Sequence, residues 1–264
     1  MRDTPLVRRL LENSTAMSVL SPVLLLVLWQ AAVDLRIISG ENFTSPLQVA
    51  RALREVALGE NTALRGSLAV HTWTSVKEVG LGFLLAAGVG VPLGILQAWS
   101  RILNNFIDPV VELVRPIPPT AWVAVSLLLF GLGLQEKVFV VFVGTFAPVL
   151  ITTLAGARGL DPINLKVART HNAFQLDILT KVFLPALVPT IMTAIRTGLG
   201  LAWMVVVAAE LIAADAGLGF LLIQAYRIFR MDIMVAVMSI IGLTAFVMDR
   251  LLREIQHRVL RWQE

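Results

Sequence analysis

Six apolar runs recur along this chain, each near the length of helix that crosses a lipid bilayer. They cover residues 16–35, 79–98, 120–134, 138–157, 182–214 and 233–248. A spanning helix needs about 20 mostly apolar residues. The third run is short and is expected to extend backwards through residues 107–115. The fifth is long enough for a tilted or broken helix and contains Pro185, Pro189, Arg196 and Glu210. The sixth is expected to continue into residues 249–262. In lipid there is no water to satisfy backbone polar groups, so the helix, which satisfies its own, is the solution. The expected fold is therefore all-α: a polytopic membrane bundle of six transmembrane helices. The basic start of the first run (Arg2, Arg8, Arg9) and Ala31-Ala32 resemble a cleavable leader. The later runs already commit the chain to the membrane, so the first is read as a retained span.

Composition excludes the main alternatives. The 264 residues are 57% hydrophobic and 15% charged, with a mean hydropathy of +0.79. Soluble domains carry about 25% charged residues, so a soluble enzyme fits poorly, since it could not hide this much apolar surface. The lack of cysteine excludes a disulfide scaffold. The net charge of +4 does not point to nucleic acid, because the basic residues are scattered between apolar runs.

An even span count puts both termini on one side. With that side taken as cytoplasmic, twelve of the 22 Lys and Arg residues lie inside and seven outside, Lys137 among the seven. Cytoplasmic loops collect basic residues, so both termini are expected inside. The first outer loop, 37–62, holds a short amphipathic helix with Ser45 as N-cap, Pro46 in its first turn and Gly59 as its stop. In the second run, Gly82, Ala86, Gly90 and Gly94 recur every four residues, a small-residue ridge suited to close helix packing.

The stretch between the fourth and fifth runs carries the most information. Asp161-Pro162 is a strong helix start, since a carboxylate caps free N–H groups and proline fits the first turn. A short helix follows, Asn172 ends it, and a second amphipathic run leads to Pro185, expected to begin the fifth span. On pattern alone this is either a docking element or an ordinary interfacial linker.

The spacing of Lys166-Val167-Ala168, Asn172, nine residues, then Val182, Leu184 and Pro185 resembles the E-A-A, three residues, G, nine residues, I-x-L-P loop of ABC importer permease subunits. Lys166 replaces the usual acid and Asn172 the glycine. A second stretch, Asp108-Pro109, Glu112, Arg115-Pro116, Pro118-Pro119 and Ala121-Trp122, resembles the D-P-x-x-E-x-x-R-P-x-P-P-x-A-W run of the nitrate/sulfonate/taurine-type members. Residues 208–212 and 217–220 fit the same group.

The resemblance implies a type I importer transmembrane domain in a bacterial inner membrane. Residues 1–63 would form an N-terminal span plus an extracytoplasmic segment, 64–253 the core, and 254–264 a cytoplasmic tail. It implies two cytoplasmic ATP-binding subunits, a second permease chain expected to be identical, and an extracytoplasmic solute-binding protein. This chain would hold no cofactor; ATP and magnesium would sit in the partner subunits, and no nucleic acid is expected. The loop 159–185, with Lys166, Val167, Ala168, Asn172, Val182, Leu184 and Pro185, would couple ATPase closure to the spans. The solute would be a small anion such as a sulfonate, taurine or nitrate. A stand-alone secondary transporter or channel is the alternative, although it should show two related halves. A membrane-embedded enzyme should show clustered acid–base residues, and none stand out.

Charges inside lipid are costly and usually functional. Glu112, Arg115, Arg196 and Glu210 are the candidates for a translocation path, where arginine's planar fork suits an anionic head group. The bland reading is an internal ion pair, Arg115 with Glu112 or Arg196 with Glu210.

Overall fold

A computed structural model describes residues 14–35, 44–59, 64, 66–161, 163, 167, 170 and 174–261. Nine helices follow among them: α1 (Ser14–Asp34), α2 (Pro46–Leu58), α3 (Leu68–Trp99), α4 (Arg101–Val114), α5 (Ala121–Phe130), α6 (Leu134–Arg158), α7 (Gln175–Ile212), α8 (Leu218–Arg227) and α9 (Met231–Val259). Four of them, α3, α6, α7 and α9, are long and apolar enough to cross a membrane. The first and third expected spans take shorter apolar form, as Leu20–Asp34 within α1 and as α5. The described helices thus support four spans by length, against the six expected.

The third span does not run back through residues 107–115. Instead α4 ends at Val114, and Pro116, Pro118 and Pro119 occupy a turn before α5 starts at Ala121. Proline has no N–H to donate and its ring excludes the carbonyl four residues earlier, so three in four residues end the helix. Pro185 has a different outcome. It does not begin a span but lies inside the continuous α7, where Ile178–Phe183 widens into a π-helical turn and the Leu184 N–H reaches the Leu179 carbonyl. Widening one turn lets the helix pass a proline without stopping.

The described residues fall into two compact units. One combines Met1–Ser67 with Leu222–Ser239 and contains α2. There the Ser45 hydroxyl accepts the Gln48 N–H while the Gln48 side chain accepts the Ser45 N–H at 2.8 Å, a complete capping box. Gly59 ends α2 at φ 69°, a left-handed conformation that glycine adopts without cost.

The other unit, Leu68–Leu221 with Ile240–Glu264, is built on α3, α6 and α7. The ridge on α3 meets α6: a methyl group added at Gly82 would sit 2.6 Å from Val141, and one at Gly94 2.8 Å from the Leu150 carbonyl. The matching numbers rise together, so α3 and α6 run parallel. Gly144 lies against Val205, Gly198 against Val149 and Gly156 against Thr190, so α7 runs antiparallel to α6. Val79, Ala86, Val141, Val149, Ala194, Ala202 and Val206 fill the seams and are buried. Apolar side chains also cover outward faces, Leu84, Leu128 and Met204 among them. In water that exposure would favour aggregation, whereas in lipid it is matched to the solvent.

Candidate functional site

Three features of the larger unit bear on function. The first is the elbow between α6 and α7. The Asp161 carboxylate accepts the Ile163 N–H at 2.8 Å, as a helix cap does. Ile163, Val167 and Thr170 are helical and exposed. Lys166, Ala168 and Asn172 lie outside the described residues. Beyond them Phe174 and Leu176 are 80% and 71% exposed, apolar like the exposed Ile163 and Val167. Val182, Leu184 and Pro185 are half-buried. Beneath them Phe183 and Leu187 pack on Ala157, and the Phe183 ring meets Trp99 edge-on at 5.4 Å. The elbow is thus seated on the ends of α3 and α6, with an apolar face left open.

The second feature is a groove of about 780 Å³ between α4, the proline turn, α5, α6 and α7. Its walls are apolar and aromatic, with Trp122, Phe139, Phe142 and Phe146 contributing rings. Among the described residues Arg115 is the one charged residue that lines it. The proline turn places Arg115 there, because α4 ends one residue earlier.

The third feature lies at the opposite end of the bundle from the elbow and is polar and buried. Lys137 Nζ on α6 stands 3.7 Å from Glu78 on α3 and 3.8 Å from Glu136. Glu210, near the end of α7, accepts from the Ser75 hydroxyl at 2.5 Å and from the Gly219 N–H at 2.6 Å. Ser75 in turn accepts the Leu218 N–H at 2.8 Å, and His71 Nδ1 accepts the Gly217 N–H at 3.1 Å. Lys137, Glu78, Glu136 and Glu210 are each at most 2% exposed. The cluster joins three helices to the segment that starts α8. A buried charge cluster of this kind survives only when its members are paired, since an orphaned one costs several kcal/mol.

The four charges expected to line a path separate. Arg115 lines the groove. Glu112 is exposed, is not part of the groove wall, and forms no ion pair with Arg115 among the described residues. Arg196 does not pair with Glu210, contrary to the expected alternative. Its guanidinium donates to both oxygens of Asp249 on α9, at 2.9 and 3.1 Å, because Glu210 lies fourteen residues further along α7, about 20 Å away at 1.5 Å per residue. Lys137, counted among outer-loop charges from the sequence, is buried in the first turn of α6.

The larger departure is the buried cluster itself. The apolar runs at 79–98 and 138–157 begin one residue after Glu78 and Lys137. Windows chosen for apolarity end where a charge stands, so the charges read as loop residues. The helices instead start eleven residues earlier in α3 and four earlier in α6. The available signal was a pair of opposite charges, each adjoining an apolar run.

The family model described as binding-protein-dependent transport system inner membrane component matches residues 90–261. A putative ABC transporter permease protein of Methanocaldococcus jannaschii is 47% identical over 200 residues, 75% of each chain. The taurine transport system permease protein of Escherichia coli is 32% identical over 252 residues, covering 96% of this chain and 91% of that one. A nitrate import permease protein of Synechocystis is 30% identical over 86% of this chain and 82% of its own. Among solved structures, a chain of the inward-facing MetNI methionine ABC transporter superposes with a TM-score of 0.59 at 19% identity, covering 71% of this chain and 95% of that one. That last likeness concerns the fold.

Proposed function

The chain belongs to the family of binding-protein-dependent transport system inner membrane components and is a multi-pass, non-catalytic permease subunit of an ABC importer; on that premise we propose that it passes a small anion and is driven through its elbow. The observation that carries the anion is Arg115, a lone guanidinium on the wall of a groove that is otherwise mostly apolar, with Thr120 and Thr152 its other polar side chains. Its planar fork pairs with a sulfonate, carboxylate or nitrate through two hydrogen bonds, and low surrounding polarity strengthens each. Relatives named for taurine, aliphatic sulfonates and nitrate agree with that chemistry. Arg196 and Glu210 act differently in this reading: held by Asp249 and by Ser75 with Gly219, they join helices and do not meet solute. Glu112 stays at the surface.

The family works with ATP-binding subunits and a solute-binding protein. Two ATP-binding subunits, with ATP and magnesium bound in them, would receive the apolar face formed by Ile163, Val167, Phe174 and Leu176. Val182, Leu184 and Pro185 would carry the displacement into α7, with Lys166, Ala168 and Asn172 completing the contact. A second, identical permease chain would cover the exposed apolar stripe of α4, where Ile102, Phe106, Val110 and Leu113 repeat on one face. Both termini and the elbow would lie on the cytoplasmic side of the cell membrane.

The test is uptake by the full complex in proteoliposomes, with taurine and nitrate supplied through the binding protein. Arg115→Ala is expected to slow flux at least tenfold while ATP hydrolysis continues. Unchanged flux for both solutes would remove Arg115 from the path. Val167→Asp is expected to abolish co-purification of the ATP-binding subunits, and an intact complex would remove the elbow from the coupling contact.

A further inference from the structure

The turn that joins α8 to α9 closes in an unusual way. The Arg230 N–H donates to the Ala225 carbonyl at 3.1 Å, and the Phe229 N–H donates to the Tyr226 carbonyl at 3.0 Å. This pair of bonds ends a helix around one left-handed residue, a position that glycine ordinarily fills. Here the residue is Phe229, at φ 54°, the one non-glycine residue of positive φ among those described. A side chain at such an angle is strained, and strain of this kind persists where the surroundings impose it and often marks a functional site.

Burial does not compensate Phe229. Its ring is 83% exposed, Tyr226 is 57% exposed, and the two ring centres stand 6.4 Å apart. The backbone is held by the next residue. The Arg230 guanidinium donates to both oxygens of Asp232, at 2.9 and 2.8 Å, and to Glu55 on α2 at 2.8 Å. Its hydrogen bonds to Asp232, then to Glu55, raise the Arg230 pKa above its already high ordinary value, so the guanidinium stays charged at any pH the protein meets. On α2, Arg51 and Arg54 are exposed beside Glu55, and Arg227 is exposed at the end of α8. The result is a propped aromatic pair, with three exposed arginines on the two elements that the Arg230 tie joins.

We propose that Tyr226 and Phe229, held by the Arg230–Glu55–Asp232 tie and flanked by Arg51, Arg54 and Arg227, form a docking knob for an acidic face of the solute-binding protein. Aromatic and arginine side chains dominate the energetics of protein interfaces, and a rigid ring loses little freedom on contact. The arginines select an acidic partner and speed its approach. On the six-span reading of the sequence, residues 46–58 follow the first span and 226–232 precede the last, which makes both extracytoplasmic. This placement rests on the importer reading. A lipid headgroup would also accept tyrosine and arginine, but a fluid headgroup layer does not require a backbone held at a strained angle.

The experiment uses the complete transporter in nanodiscs, with ATP hydrolysis measured against increasing concentrations of the solute-loaded binding protein. Phe229→Gly removes the ring and relieves the backbone strain, so the variant is expected to melt at or above the wild-type temperature. Its half-saturating concentration of binding protein is expected to rise at least tenfold, whereas Phe229→Tyr stays within about twofold. Added salt should weaken the wild-type response more than that of the Arg51→Gln/Arg54→Gln/Arg227→Gln variant. A Phe229→Gly complex that responds like wild type would overturn the knob alone. The same unchanged response together with a new dependence on anionic lipid would reassign the pair as a membrane anchor. A wild-type complex that no binding protein stimulates would overturn the importer reading and the knob with it.

Discussion

The two ends of the α3–α6–α7 bundle are held by different forces. At one end Lys137, Glu78, Glu136, Glu210, Ser75 and His71 form a buried polar cluster that joins three helices to the segment starting α8. At the other, Phe183 and Leu187 rest on Ala157 and Trp99 through apolar contact, and the charged pair there, Lys181 with Asp177, is exposed. Hydrogen bonds and ion pairs are directional, so they fix one arrangement and fail when displaced. Apolar contacts are non-directional and permit small sliding. If the elbow is pushed as proposed above, this asymmetry serves it: a seat that yields beneath the elbow, and a fastening at the far end that holds.

The largest effect should come from breaking the fastening. Lys137→Ala leaves buried carboxylates without their cation and is expected to cost about 3–5 kcal/mol. Thermal unfolding of the detergent-solubilised chain would read this as a large drop in Tm, and a Tm near wild type would mean that the carboxylates are not held by Lys137. Ser75→Ala should cost less, about 1–3 kcal/mol, because it strips a donor from Glu210 and an acceptor from the Leu218 N–H. If replacing Ser75 changed nothing measurable, the link between α3 and the start of α8 would be ornamental. The smallest effect belongs to the elbow: Lys181→Ala removes an exposed i,i+4 pair and should stay within about 0.5 kcal/mol. A larger loss there would erase the contrast between the two ends.

Much of this was legible in the chain itself. Ser45, Pro46 and Gly59 delimit α2 because capping is local chemistry, written in adjacent residues. The four-residue repeat from Gly82 to Gly94 named the face that α6 approaches, because only absent side chains allow that distance. The partners of Arg196 and Glu210 were not legible. Both sit on α7, but α9 supplies Asp249 and α3 supplies Ser75, and no local spacing encodes which helix crosses near which. Pro185 misled for a related reason. A proline predicts a break, and whether the helix stops or absorbs it in a π turn depends on packing around it, here of Ile178, Phe183 and Leu187.

The glycine seam between α3 and α6 has a mechanical consequence. At Gly82 and Gly94 the two backbones stand too close for a single extra carbon, and the contacts step in parallel along more than three turns. Interlocked that tightly, the two helices cannot shear past one another without opening voids, so they travel as one strut. α7 meets α6 just as closely at Gly144, Gly156 and Gly198, so it belongs to the same strut, and whatever stroke carries the permease between its two faces is left to the joints around it.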